Sequence, residues 1–273
     1  MKKKLLGILI ALGICIPAYA SIAVAPTRVE IDANKIRSNY ATTAIEIKGD
    51  KEKPMRFRVY PGYFTIDNNS KIVVKAPKGE PADISGKIRF VPSEFTVPPG
   101  KSQKLRINIA NIKGLPDGES RAILYIEDVE NKEMNVPNEY GIGAKLVLKT
   151  RVGVPVYVDK GKYTKSAEIQ DFQIVKEKDG LYTQITIKST GNSRIRFNGS
   201  FQVIEGRKLI DEYDLIGNVV GVGNTYVAKQ KIDTSKIKNS GDYTLRMIFH
   251  YFDEKGVRKN IKKDAILKIT GEI

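Results

Sequence analysis

The chain has 273 residues, of which 41% are apolar and 28% charged, enough for one large or two medium globular domains. This composition excludes a disordered chain, a coiled coil, a collagen and a multi-span membrane protein. A single histidine, a single cysteine and no tryptophan argue against thiol catalysis, thiolate zinc sites and histidine acid–base chemistry.

The formal net charge of +15 is compatible with anionic lipid, polysaccharide or protein partners, but also with a merely soluble, lysine-rich surface. The lysines form no single dense block and are not interleaved with aromatic residues that would stack on bases. We therefore predict no nucleic-acid partner.

The first 20 residues have the pattern of a cleavable signal peptide. Three lysines at positions 2–4 precede an apolar run over 5–16, and Ala18-Tyr19-Ala20 forms a cleavage motif. The apolar run is too short to span a bilayer comfortably, so we expect no stable membrane insertion after cleavage. Cleavage also removes Cys15, the only cysteine, and leaves a secreted chain without a disulfide.

After residue 20 the dominant hydrophobic period is two, which indicates β-strands. Examples are Ile45 and Ile47, the run over 105–109, and Ile185 and Ile187. Turn sequences rich in Gly, Pro, Asn and Asp recur at roughly 8–12-residue intervals, as in β-sandwiches. Long amphipathic helical windows are absent.

The alternation rule predicts about seven strands before residue 158 and about seven after it. The expected strands lie near 22–32, 40–48, 55–65, 88–97, 102–110, 121–129, 142–158, 167–176, 181–189, 194–205, 208–216, 224–232, 242–252 and 257–270. The fold class predicted is all-β, with two immunoglobulin-like β-sandwich domains in tandem. We expect a signal peptide at 1–20 and domains at 21–158 and 159–273, joined near Asp159-Lys160-Gly161-Lys162.

In the second domain, Gly241-Asp242-Tyr243-Thr244-Leu245 resembles the tyrosine corner of immunoglobulin-like domains.

One predicted strand is unusually long, because the alternation from Ile142 to Val156 is unbroken. At ~3.3 Å per residue such a strand spans about 50 Å, whereas most strands have about 3–10 residues. A long edge strand that is apolar on one face favours pairing with another chain. We therefore expect it either to cross between sheets or to offer its edge to a partner.

Several motifs of the first half, in this order, resemble those of the PapD-like periplasmic chaperones of bacterial pilus assembly. They are Thr27-Arg28-Val29, then Val91-Pro92-Ser93 followed by Val97-Pro98-Pro99-Gly100-Lys101-Ser102, then Leu115-Pro116-Asp117-Gly118-Glu119-Ser120-Arg121, and finally the strand over 145–151. Together they cover most of 22–158. The second half matches by architecture and by Thr190-Gly191-Asn192.

The resemblance implies two immunoglobulin-like domains arranged as a boomerang and a location in the periplasm. It also implies that the last strand of the first domain donates alternate apolar side chains to a pilin-like or surface-fibre subunit that lacks its own final strand. The donor residues would be Ile142, Ala144, Leu146 and Leu148. The cleft arginine that holds the subunit's terminal carboxylate would be Arg28. The partners implied are that subunit and an outer-membrane usher, with no cofactor and no metal.

One departure from the family concerns its second cleft residue, a lysine on the final strand. Gly153 occupies the aligned position, and Arg151, two residues earlier on the same face, is the candidate substitute. The polar segment from Glu130 to Tyr140 suggests a long loop before the donor strand. Both features indicate a divergent member.

Two other hypotheses compete with that of a chaperone. An enzyme is disfavoured, because acidic pairs such as Glu127-Asp128 are adjacent on strands and therefore point to opposite faces. His250 lies within an apolar run, where a structural role fits better than a ligand. The remaining alternative is a secreted adhesive or structural protein of tandem immunoglobulin-like domains that binds anionic surface polymer. For the apolar stripe over 142–148, core packing within the domain also stays open.

Overall fold

The computed structural model describes residues 22–76, 79–130, 132–136, 144–237 and 239–270. Within these residues the chain forms nineteen strands and four short 3-10 helices, with no α-helix. The prediction of an all-β fold is confirmed. Residues 1–21, which include the predicted signal peptide, lie outside the described residues.

The first half of the chain contains twelve strands among the described residues. They are β1 Ala23–Ala25, β2 Val29–Asp32, β3 Tyr40–Lys48, β4 Met55–Ile66, β5 Ile72–Lys75, β6 Ile88–Val91, β7 Glu94–Val97, β8 Ser102–Ala110, β9 Gly118–Asp128, β10 Lys132–Val136, β11 Ala144–Leu148 and β12 Arg151–Lys160. Three 3-10 helices lie at Ala33–Lys35, Ser85–Lys87 and Ile112–Gly114.

Two sheets of this half face each other across one apolar core. One has the order β1-β3-β8-β6, and the other has the order β2-β12-β9-β4-β5, with β7 also paired to β4. The inward residues alternate along each strand, because successive side chains of a strand point to opposite faces. They include Ile45 and Ile47 of β3, Leu105 and Ile107 of β8, Phe57 and Val59 of β4, Leu124 and Ile126 of β9, and Val154, Val156 and Val158 of β12.

Strand β9 is buried on both faces, and its central run from Ala122 to Ile126 is entirely apolar. Its outward residues Ile123 and Tyr125 pack in a second, smaller cluster with Phe64, Ile66 and Tyr157. This cluster extends to Val219 of the second half. The outer face of the sheet is therefore covered where the two halves meet.

The second half contains seven strands among the described residues, β13 Ala167–Glu177, β14 Gly180–Ser189, β15 Ile195–Glu205, β16 Lys208–Val220, β17 Thr225–Lys231, β18 Gly241–Phe252 and β19 Arg258–Ile269, with a 3-10 helix at Thr234–Lys236. A sheet of order β13-β14-β17 and one of order β16-β15-β18-β19 enclose a separate core.

The hydrogen bond expected of the predicted tyrosine corner is present. The buried Tyr243 donates its hydroxyl to the backbone oxygen of Asn239 over 2.9 Å.

The prediction of one unbroken strand from Ile142 to Val156 is wrong. The described part of that stretch is interrupted at 149–150 and forms two strands, β11 and β12. Leu148 pairs with Lys132, and Arg151 pairs with Glu127. Between these two pairs the β9–β10 side of the ladder has four residues, whereas the β11–β12 side has only two. The mismatch is a bulge, and it breaks the ladder.

At this break the side chain of Asp128 bonds the local backbone, since its Oδ1 accepts the N–H of Glu130 over 3.1 Å. The expected loop from Glu130 to Tyr140 is also wrong in part, because Lys132–Val136 is strand β10. β10 and β11 form a two-stranded sheet of their own beyond the bulge.

Candidate functional site

The most unusual feature of the sheet around β12 is an edge that is covered over only part of its length. β9 pairs with β12 from Arg151 to Lys160, whereas β2 pairs with the opposite side of β12 only from Val156 to Asp159. β11 pairs with β10 on the β9 side, and no other described strand pairs with it. Within the described part of the chain, the edge over 144–155 therefore has no strand partner on its second side. We call this stretch the open edge.

Pro155 marks the end of the open edge. A proline has no N–H to donate, so within a sheet it is tolerated where its nitrogen faces an unpaired edge. The next residue, Val156, is the first that β2 covers, through its parallel pairing with Val29. The open edge therefore ends where β2 begins.

Arg28 immediately precedes β2 and so stands at the end of the open edge. Its side chain is 48% exposed, and its Nε donates a hydrogen bond to Glu30 Oε1 over 3.0 Å. Glu30 faces Tyr157 across the β2–β12 pair. The candidate cleft arginine thus lies where the two halves of the chain meet, in contact with a carboxylate of the chain itself. We call this place, around Arg28 and Glu30, the mouth.

Arg151, the candidate second anchor, is not beside Arg28. Its Nη1 donates to the hydroxyl of Tyr60 over 3.1 Å, and its guanidinium carbon lies 4.2 Å from the ring centroid of Tyr125. Both tyrosines are on the β9–β4 side of β12, whereas Arg28 is on the β2 side. Arg151 is also four residues from Pro155, or roughly 13 Å along a strand. The structure does not bring the two arginines together.

The absence of a side chain at Gly153 has a local packing reason. A Cβ atom on Gly153 would lie 2.6 Å from Cδ1 of Ile123 and 3.5 Å from the ring of Tyr125. Ile123 therefore fills the space that a side chain at 153 needs.

Two arginines of the second half, Arg194 and Arg196, also meet Glu30, and the sequence analysis identified neither of them. Arg194 Nη2 lies 3.5 Å from Glu30 Oε1. Arg196 is closer, since its Nε donates to the same oxygen over 2.8 Å, and its guanidinium carbon lies 5.7 Å from the ring centroid of Tyr157. Arg196 is on β15 of the second half, 166 residues from Glu30 along the chain. The only sequence signal is the Arg194-Ile195-Arg196 alternation at the start of a predicted strand.

Behind this mouth lies a buried ion-pair cluster that joins the two halves. Arg194, whose side chain is 2% exposed, contacts Glu119 Oε2 through Nη1 at 3.0 Å and Asp159 Oδ1 at 3.3 Å. Arg121 holds the other oxygen of Glu119 at 2.8 Å, and Lys165 contacts Asp159 at 3.3 Å. The segment starting at Asp159, predicted as a polar linker, is thus buried in part and ion-paired.

The pKa of Glu30 reports the balance of charge at the mouth. Partial burial alone raises the pKa of this carboxyl, but Arg194, Arg196 and Arg28 together outweigh it and lower the pKa to about 2. Glu30 is therefore ionised throughout the neutral range.

Of the four predicted donor residues, three lie on β11 and one is outside the described residues. Ala144, Leu146 and Leu148 occupy alternate positions and pair with Val136, Met134 and Lys132 of β10. Ile142 falls in the segment that the structure does not describe. Between these positions, Val147 is 47% exposed.

Two negative findings apply to the residues that the structure describes. No group of three or more His, Cys, Asp and Glu side chains is placed to hold a metal ion. Nor does that part of the chain contain a helix with the length and apolar character needed to cross a membrane.

Comparisons with known proteins give structural matches only. No protein-family model matches the chain, and no curated protein matches it in sequence. Among solved structures, the YadV chaperone is 12% identical with a TM-score of 0.47, covering 90% of this chain and 100% of that one. The class 5 fimbriae chaperone CfaA is 12% identical with a TM-score of 0.44, covering 92% and 100%. The Salmonella enterica SafA pilin in complex with the SafB chaperone gives 13% identity and a TM-score of 0.42, covering 90% and 96%. The chain is thus similar to solved structures described as pilus or fimbrial chaperones.

Proposed function

We propose that this protein is a divergent periplasmic chaperone that binds pilus or surface-fibre subunits by donor-strand complementation and passes them to an outer-membrane usher. The observation that carries the proposal is the open edge, which runs over 144–155 and ends beside Arg28. With it we propose the organisation that the sequence indicates, a signal peptide at 1–20 and domains at 21–158 and 159–273.

The geometry supports one direction for a bound client strand. A strand on the open edge whose terminal carboxylate meets Arg28 must run towards Pro155, and therefore parallel to β11 and β12. β2 already lies parallel to β12 along the same edge, beginning at Val29. The client strand and β2 would then follow each other in line, with Arg28 at the junction.

The open edge also explains why a client would stabilise the chain. The β10–β11 sheet has only two strands, and an isolated two-stranded ribbon is marginally stable in water. A third strand supplies backbone partners, and each large apolar side chain that becomes buried contributes ~1.5–3 kcal/mol before ordering costs. Leu146 and Leu148, with Ala144 and Ile142, are the residues that we propose for this contact.

The test is co-purification of clients from periplasm, identified by mass spectrometry, with the wild type and with Leu146→Glu/Leu148→Glu. We expect client binding to collapse, because two charges would have to be buried against the client. The thermal midpoint and far-UV circular dichroism of the variant should match the wild type.

A matched control places the same charge on exposed apolar residues of the second half, Val227→Glu/Ile266→Glu. It should bind clients as the wild type does. Unchanged client binding by the leucine variant would refute the proposal. Unfolding of that variant would also refute it, because the two leucines would then belong to the chain's own core.

A further inference from the structure

We infer that Arg196 is the second anchor for the client's terminal carboxylate and that it completes, with Arg28, a two-arginine site shared by the two halves of the chain. This inference rests on the proposed function and names the ligand of its cleft, a free α-carboxylate at the end of an extended strand. It replaces Arg151 as the partner of Arg28.

The first support is the position of Glu30 between the two arginines. Arg28 Nε and Arg196 Nε both donate to one oxygen, Glu30 Oε1, at 3.0 and 2.8 Å. Because both bonds end on one atom, the two Nε atoms are no farther apart than the sum of these two distances. One carboxylate oxygen of the chain itself thus binds both arginines at once.

The second support is unused donor capacity. Each guanidinium has five N–H donors, and in the described part of the chain Arg28 and Arg196 each use only Nε in a hydrogen bond. Both side chains are partly exposed, Arg28 at 48% and Arg196 at 34%. Their Nη groups remain available for a second carboxylate, which arginine binds with charge-assisted and often bidentate hydrogen bonds.

The third support is the charge of the surrounding cluster. Among the described residues, the connected ion pairs contain five cations and only three anions; the cations are Arg28, Arg121, Lys165, Arg194 and Arg196, and the anions are Glu30, Glu119 and Asp159. Arg194 Nε is buried without a hydrogen-bond partner. A further anion at the mouth would therefore offset an excess of positive charge in a partly buried place.

The fourth support is location. Arg196 lies over Tyr157, and Tyr157 pairs with Glu30 just beyond the point where the open edge ends. A strand that fills the open edge ends its backbone at Pro155, directly before this pair of arginines. No lysine at position 153 is required, which agrees with the packing of Ile123 against Gly153.

The experiment compares two fluorescently labelled peptides of about ten residues, enough for one strand, with alternating valine and serine. One ends in a free carboxylate and the other in an amide. We expect anisotropy titrations of the full-length protein at low ionic strength to give at least about tenfold tighter binding of the carboxylate peptide, since a hydrogen bond to a charged group contributes about 1.5–3 kcal/mol.

Two variants and a matched control locate that preference. Arg196→Ala and Arg28→Ala should each bring the carboxylate-to-amide ratio close to one while the amide peptide binds as before. Arg246→Ala, which removes an exposed arginine paired with Asp264 in the same half as Arg196, should leave the ratio unchanged. Glu30→Gln should raise the ratio, because it removes the internal carboxylate that competes for both arginines.

The outcomes separate this inference from the proposed function. Equal binding of both peptides by the wild type, or an Arg196→Ala variant with the wild-type ratio, overturns the two-arginine site and leaves strand pairing standing. If neither peptide binds, the donor-strand proposal fails together with the inference. Thermal unfolding of Arg196→Ala near the wild-type midpoint, and partial recovery of the ratio by Arg196→Lys, exclude a folding defect as the cause.

Discussion

Replacing Arg194 by methionine tests whether the buried ion pairs hold the two halves together. Methionine keeps most of the side-chain volume but leaves Glu119 and Asp159, both nearly inaccessible to solvent, without their shared cation. Loss of one partner from a buried ion pair costs about 3–5 kcal/mol. Glu119 keeps Arg121 and Asp159 keeps Lys165, so we expect the lower end, about 3 kcal/mol.

The loss should be visible in urea and thermal unfolding at neutral pH followed by circular dichroism. At about 2–4 °C per kcal/mol, the midpoint should fall by about 6–12 °C. Arg246→Met breaks an exposed pair with Asp264 and should leave the midpoint close to that of the wild type. Equal losses in Arg194→Met and Arg246→Met would refute the reasoning.

Three further predictions concern packing, pH and the tyrosine corner. Gly153→Ala should destabilise the chain by about 1–3 kcal/mol through its clash with Ile123, and adding Ile123→Val should restore part of that in urea unfolding. Glu30, whose pKa is lowered to about 2, adds stability above its unfolded value near 4.5 that is lost as pH falls towards 2. Partial exposure limits this to about 1 kcal/mol, so Glu30→Gln should flatten the pH profile between those values, and an unchanged profile would contradict the ion pairing. Tyr243→Phe should lower stability by about 1 kcal/mol through the lost bond to Asn239, and an unchanged urea midpoint would show that the bond contributes nothing.

The strands could be predicted from the sequence because period-two alternation records directly which face of a strand is buried. The unbroken alternation from Ile142 to Val156 nevertheless concealed the interruption before Arg151. That interruption depends on the number of extra residues that the β9–β10 side inserts at the bulge, and on the side chain of Asp128. Alternation describes one strand and holds no information about the register of its neighbour.

The candidate site was predicted only in part for a similar reason. Arg28 belongs to a local motif that the sequence displays directly, and Arg151 lies near Gly153 in sequence. Arg196 meets Glu30 across 166 residues, through the packing of one half on the other. No local pattern in the sequence encodes such a contact.

The position of Glu30 between arginines of the two halves has a consequence for timing. Arg28 directly precedes β2 of the first half, whereas Arg196 lies on β15, in the separate core of the second half. The proposed carboxylate pocket can therefore form only after both halves have folded and packed against each other. A chain in which only the first half has folded would lack this pocket.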